Sequence, residues 1–176
     1  MSIEQRIAEA IRDVKDFPKP GIVFKDITPI LEDPILCADI NEHLLKPYNG
    51  QKIDAIIGVE SRGFFFGMMM SQVLKVPFIP VRKAGKLPYK TVSHAYDLEY
   101  GSAVVEMHVD VIQPGWNVII HDDLLATGGT AGAAAELVKK QAANIAGFSF
   151  IVGLSFLNGK ERLENYGRNI QCLIEY

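Results

Sequence analysis

Cysteine is scarce: Cys37 and Cys172 are the two in 176 residues, far apart and each in apolar surroundings. That excludes a disulfide framework and leaves two reduced, partly buried thiols as the expectation. No Cys and His spacing of the kind that holds zinc occurs. No apolar run nears the ~20 residues that span a bilayer; the longest, 64–70 and 148–157, fall far short. The opening Met-Ser-Ile-Glu-Gln-Arg-Ile mixes acid and base and lacks the apolar stretch of a secretory signal. The expected location is therefore the cytoplasm. Two familiar phosphate loops, Gly-x-x-x-x-Gly-Lys-Ser/Thr and Gly-x-Gly-x-x-Gly, are also missing, as are repeats and low-complexity linkers.

What is present suits one globular domain: 48% of residues are hydrophobic and 22% charged. At this length a single core buries roughly 70% of the surface the unfolded chain exposes, so no metal or crosslink is needed for stability. The net charge of −3 is unevenly spread. Residues 61–96 hold Arg62, Lys75, Arg82, Lys83, Lys86 and Lys90 and no acid, so the remainder is strongly acidic. One basic stretch on an acidic protein points to a local anionic ligand rather than to nucleic acid. Charge alone leaves a solvated basic loop as the alternative.

Ser2 with Gln5 forms a possible capping box, and Ile3, Ile7, Ile11 and Val14 recur at helical spacing, which predicts a helix over 3–14. Phe17-Pro18-Lys19-Pro20-Gly21 breaks regular structure, and a loop is expected through Val23, Phe24 and Lys25. Asp33-Pro34 caps a second helix that runs to Pro47. Beyond Gly50 come short continuous apolar runs, 53–59, 78–81, 118–120 and 148–154, with helical patterns at 63–75 and 130–141 between them. Such runs suit strands covered on both faces, and the prediction is an α/β fold with a mainly parallel sheet flanked by helices. The more polar 97–107 reads as an exposed strand pair or hairpin about Gly101-Ser102.

The most informative segment is Val118 to Thr130, where a buried strand is followed by Asp122 and Asp123 and then by Ala126-Thr127-Gly128-Gly129-Thr130, which opens a helix. Ligands of open α/β sheets bind at the carboxyl ends of the strands. A loop without bulky side chains lets its amides approach an anion, and the helix dipole favours negative charge there. Two acids beside a phosphate site suit a ribose diol, the water shell of a divalent cation, or positive charge developing on a sugar. A phosphorylated sugar is the natural guest. An Asp pair by itself reads as a turn cap; the small-residue loop reverses that preference.

Ile119 to Thr130 resembles the ribose-phosphate motif of the type I phosphoribosyltransferases, and Asp-Asp-Leu-Leu-Ala-Thr-Gly-Gly-Thr is similar to the form found in their adenine-specific members. Further matches run nearly the whole chain: Phe17 to Pro29, Glu60-Ser61-Arg62-Gly63-Phe64, Val81 to Pro88, and Leu98-Glu99-Tyr100-Gly101. The resemblance implies a hood built from N-terminal and C-terminal segments, with residues 1–33 contributing to the base site and 83–95 forming a flexible lid. It also implies transfer of a 5-phosphoribosyl group from 5-phosphoribosyl-1-pyrophosphate to N9 of adenine, giving AMP and pyrophosphate. Magnesium is the implied cofactor, held mainly by substrate and water rather than by side chains, and a homodimer is the implied assembly.

By the same resemblance Ala126, Thr127, Gly128, Gly129 and Thr130 take the 5′-phosphate, and Asp122 and Asp123 the ribose. Arg82, Lys83 and Lys86 neutralise the pyrophosphate with Arg62 near the same site, some of these cations acting across the dimer. Glu99 handles the purine proton. Val23, Phe24 and Lys25 lie over adenine, with Leu154 as a wall. Backbone groups that read adenine's N1 acceptor and N6 donor would be left unpaired by a 6-oxopurine, at ~1–3 kcal/mol each. Two features depart from relatives: Lys25 stands where arginine is usual, and His121 occupies an ordinarily apolar position and is read as a core histidine. The Glu60-Ser61 peptide is expected to be cis. A phosphoribosyltransferase for xanthine, hypoxanthine or a pyrimidine is the nearest rival, and a non-catalytic regulator the more distant one. Such a regulator needs a basic recognition arm, whereas residues 1–52 hold seven bases and nine acids.

Overall fold

The computed structural model describes residues 1–98 and 101–176. Its central feature is a seven-stranded sheet in the order β5-β6-β4-β3-β7-β8-β9. The strands are β3 (Ala55–Val59), β4 (Phe78–Lys83), β5 (Thr91–Asp97), β6 (Ser102–His108), β7 (Asn117–Leu125), β8 (Asn144–Gly153) and β9 (Ile170–Glu175). From β4 to β9 every pairing is parallel, while β5 and β6 join antiparallel at the β4 edge. The four apolar runs of the sequence are β3, β4, β7 and β8.

Alternation along the strands divides the core between the faces. Ile57, Val59, Val118, Ile120, Phe148 and Phe150 pack with Ala131, Ala134, Leu137 and Val138 of α4 (Gly129–Lys140). On the other face Ile56, Ile119 and Ile151 meet α1 (Ile3–Ala10), α2 (Pro34–Leu45) and α3 (Gly63–Leu74) through Ile7, Ile40, Leu44, Phe66 and Met70. Helices thus cover both faces. The Ser2 and Gln5 capping box forms, and Asp33 caps α2 by accepting the Ile35 and Leu36 amides. Among the described residues no helix is long and apolar enough to cross a membrane.

Three expectations are corrected. The first helix ends at Ala10 instead of residue 14, because Ile11 turns extended and β1 (Arg12–Lys15) pairs antiparallel with β2 (Val23–Asp26). Val23, Phe24 and Lys25 consequently lie on a strand of a separate two-stranded ribbon, not in a loop. The strand β7 continues through Asp122 and Asp123 to Leu125, since Asp122 pairs with Phe150 and Leu124 with Val152; the acids do not follow the strand but form its end. The expected lid 83–95 is divided: Lys83 ends β4, 84–90 is irregular, and 91–95 belongs to β5, paired throughout with β6. The predicted hairpin is therefore present but longer, and Glu99 and Tyr100 lie outside the described residues. The last strand, β9, was not foreseen.

Candidate functional site

The carboxyl ends of β4, β3 and β7, adjacent in the sheet, carry three groups of polar residues. Beyond β7 the loop 126–130 turns into α4 through Gly128, which adopts φ +75°, a conformation other residues resist. A Cβ there would also lie 2.8 Å from the Gly159 carbonyl oxygen, and a side chain at Gly159 would in turn collide with the carbonyl of Ala126. These two glycines let the short helix α5 (Gly159–Leu163) support the loop from behind. Asp122 and residues 124–131 line a cavity of about 80 Å³. At the mouth of α4 the Thr130 hydroxyl lies 3.1 Å from the Tyr96 hydroxyl of β5, so the hairpin is tied to the loop. Main-chain donors, a helix N-terminus and the lack of bulky side chains are the features that suit an anion.

Next to it stand the aspartates. The Asp123 amide donates to Oδ1 of Asp122 at 2.9 Å. The Arg62 Nε lies 2.9 Å from Oδ2 of Asp123, a charge contact whose N–H is not aligned for a hydrogen bond. Burial pushes both carboxyls upward. At Asp122 the neighbouring Asp123 charge adds to burial and lifts it well above the usual carboxylate range, whereas at Asp123 the Arg62 guanidinium opposes burial. Asp122 is therefore the more strongly raised of the two carboxyls. Gly63 permits this proximity: a Cβ there would sit 2.8 Å from the His121 carbonyl oxygen and 3.0 Å from Cα of Asp122. His121 itself is fully buried, its Nδ1 2.9 Å from the Ser149 carbonyl oxygen. Burial outweighs that contact and lowers its pKa to about 4, so it is the neutral core histidine expected.

The third group centres on Glu60, whose bond to Ser61 is cis as expected. Its Oε1 lies 3.1 Å from Arg82 Nη2 and 3.3 Å from Lys86 Nζ. Its Oε2 accepts from Arg82 Nε at 3.3 Å and from the Lys83 amide at 3.0 Å. Burial would raise this carboxyl, but those donors outweigh it and hold the pKa at about 2. Three of the four predicted pyrophosphate residues therefore converge, Lys83 through its backbone. Arg62 faces elsewhere, toward Asp123 and Phe24.

At the base end the Arg62 guanidinium carbon lies 4.9 Å from the Phe24 ring centre, and Phe17 meets Phe24 edge-on at 5.2 Å. Lys25 is engaged from two sides: its Nζ is 2.7 Å from Asp13 Oδ1 and 3.9 Å from the ring centre of Tyr176, the last residue. Its side chain serves to join the N-terminal ribbon to the C-terminus. Val23 is exposed. Leu154 stands between Gly153 and Ser155, which both bond the main chain of Tyr176, and it lines a cavity of about 200 Å³ with Leu125, Ser155, Gly159, Cys172 and Glu175. Glu99 lies outside the described residues.

Sequence reasoning missed Gly159 and Tyr96, and it took Glu60 only as part of a motif. Glu60 does carry a signal: it is the acid immediately before the acid-free basic stretch 61–96.

The family model for the phosphoribosyl transferase domain matches residues 27–173. An adenine phosphoribosyltransferase from Cytophaga hutchinsonii is 51% identical over 174 residues, covering 99% of this chain and 96% of its own. The crystal structure of adenine phosphoribosyltransferase from Rhodothermus marinus superposes with a TM-score of 0.94 at 45% identity, covering 99% of this chain and 98% of its own. The enzyme from Saccharomyces cerevisiae, solved with D-2,5-dideoxy-2,5-imino-altritol 1,6-bisphosphate and adenine, gives 0.91 at 40% identity, covering 98% of each chain.

Proposed function

This chain belongs to the phosphoribosyl transferase family, among the adenine phosphoribosyltransferases, and we infer that it moves the 5-phosphoribosyl group of 5-phosphoribosyl-1-pyrophosphate onto N9 of adenine, giving AMP and pyrophosphate. The observation that carries the assignment to residues is the small loop 126–130 at the mouth of α4, beside the buried aspartates of β7.

Its amides hold the 5′-phosphate, which fixes the sugar relative to the sheet. The ribose hydroxyls then meet Asp122 and Asp123. As the bond from C1′ to pyrophosphate breaks and N9 attacks, positive charge develops on the sugar, and the Asp123 carboxylate stabilises it at short range in a site that burial makes poorly screened. Arg82, Lys86 and the Lys83 amide receive the negative charge of the departing pyrophosphate. Arg62 spans the sugar and base ends, orienting Asp123 and backing Phe24, whose face stacks on adenine. Glu99 takes up the proton that N9 gives up. The segment 84–90, which carries Lys86, closes over the sugar and excludes water that would otherwise hydrolyse it. The hood formed by residues 1–33 and the C-terminal Tyr176 covers the base, joined through Lys25.

Among the described residues no group of three His, Cys, Asp or Glu is placed to hold a metal. The donor set fits magnesium carried on the substrate's own phosphates, with Asp122 and Asp123 as the residues to accept hydrogen bonds from its waters. When bound, magnesium screens the diphosphate charge. A homodimer completes the proposal, and the family resemblance supports it.

The test is pyrophosphate release from purified enzyme given magnesium, 5-phosphoribosyl-1-pyrophosphate and, separately, adenine, hypoxanthine or guanine. Release with adenine far faster than with either 6-oxopurine is expected. Equal rates with hypoxanthine would overturn the base assignment, and saturable binding without release would point to a regulator.

A further inference from the structure

The four contacts on Glu60 occupy the same donors that the pyrophosphate reading assigns to the leaving group. Each carboxylate oxygen takes two of them: Arg82 Nη2 and Lys86 Nζ on Oε1, Arg82 Nε and the Lys83 amide on Oε2. The side chain is only 12% exposed, so it is held against β4 rather than drifting in solvent. Arg82 also donates Nη1 to the Lys86 carbonyl at 3.2 Å, which folds the segment after β4 back over the same carboxylate. A second nearby acid, Glu106, is engaged separately, accepting the Gly85 amide at 3.0 Å. A planar anion with two oxygens, each satisfied by a pair of donors at hydrogen-bond distance, imitates one face of a phosphoryl group.

We propose that Glu60 is an internal stand-in for pyrophosphate: a positioning residue that keeps Arg82, Lys86 and the Lys83 amide gathered while the site is empty, and that the incoming phosphate oxygens displace. This rests on the pyrophosphate reading given above. The physical reasons are two. Three convergent donors, two of them full cations, repel one another when nothing anionic lies between them, and Glu60 removes that repulsion. A carboxylate and a phosphate cannot share the same donors, because like charges that close disfavour each other. The substrate therefore meets cations already in place, and leaving pyrophosphate is followed by a competitor of the same charge sign, which weakens product retention. Glu60 performs no chemistry on the reacting atoms.

The experiment is to measure binding of magnesium pyrophosphate to the wild type, to Glu60→Gln and to an Arg82→Ala, Lys86→Ala double variant, with AMP affinity as the control. Glu60→Gln keeps the shape and removes the competing charge, so it should bind pyrophosphate about tenfold more tightly with AMP affinity unchanged. A merely structural role would weaken both ligands. In the wild type, the Glu60 Cδ resonance of 13C-labelled enzyme should shift on adding magnesium pyrophosphate, a readout that needs no stable charge-removing variant. Unchanged or weaker pyrophosphate binding by folded Glu60→Gln, or an unmoved Cδ resonance, would overturn the stand-in. If instead the double variant keeps wild-type pyrophosphate affinity, the pyrophosphate site itself is misassigned, and the proposal falls with it.

Discussion

Arg62 stands at the start of α3 and Asp123 on β7, yet the Nε of one lies 2.9 Å from Oδ2 of the other. The carbon of the same guanidinium lies 4.9 Å from the Phe24 ring centre. One cation thus connects the N-terminal ribbon with the acid pair of β7.

Arg62→Lys should therefore impair both ends at once. A lysine keeps the charge but loses the planar group that can face Phe24 and Asp123 simultaneously. The KM values for adenine and for 5-phosphoribosyl-1-pyrophosphate should each rise about tenfold. A change in pyrophosphate inhibition alone would return Arg62 to the leaving-group site expected from the sequence.

Gly159→Ala tests support of the phosphate loop from a residue that touches no ligand. The new methyl group would strike the Ala126 carbonyl and Leu125. AMP affinity should fall about tenfold or more, and stability by ~1–3 kcal/mol, as overpacking does. Calorimetric titration with AMP beside a denaturation curve would show both, and intact AMP binding would remove α5 from the cradle.

Glu99→Gln should separate chemistry from binding. Turnover is expected to drop about 10²-fold or more, the usual scale for losing a general acid or base. The KM for 5-phosphoribosyl-1-pyrophosphate should stay within about twofold. Near-normal turnover would take Glu99 out of proton handling.

His121 predicts an acid limb to the stability curve. Its folded pKa is about 4 against an ordinary 6.5. Between those values the unfolded chain binds more protons, so stability rises with pH across this window, is complete above about 6.5, and is lost as pH falls toward 4. The raised carboxyls of Asp122 and Asp123 have the opposite sign, so the difference between wild type and His121→Leu isolates the histidine. That variant should flatten the limb by about 3 kcal/mol in urea titrations at pH 7 and pH 4. Parallel curves would mean that His121 does not stay neutral.

Local chemistry made the small-residue loop before α4 legible in advance: small residues and a helix start within five positions need no partner to be recognised. The apolar strands were legible for a similar reason, since burial on both faces leaves uninterrupted runs. What escaped depends on pairing across the fold. Asp122 and Asp123 break the apolar run of β7, and only β8 shows that the strand goes on. Thr91 to Asp97 has no distinct periodicity until β6 supplies a mate. Glu60 and Arg82 are 22 positions apart, a pairing that exists only once β3 lies beside β4. Asn158-Gly159 looks like an ordinary turn until α5 is pressed against residue 126.

The two-stranded ribbon of β1 and β2 shares no strand with the main sheet. On the reading proposed above, the heterocycle is recognised from the ribbon and the sugar phosphate is held at the sheet, with Arg62 and the contact of Lys25 with Tyr176 as links between the two frameworks. If Val23 to Lys25 meet the base as proposed, rebuilding them would exchange the preferred nucleobase while the strands that carry the sugar-phosphate chemistry keep their dimensions.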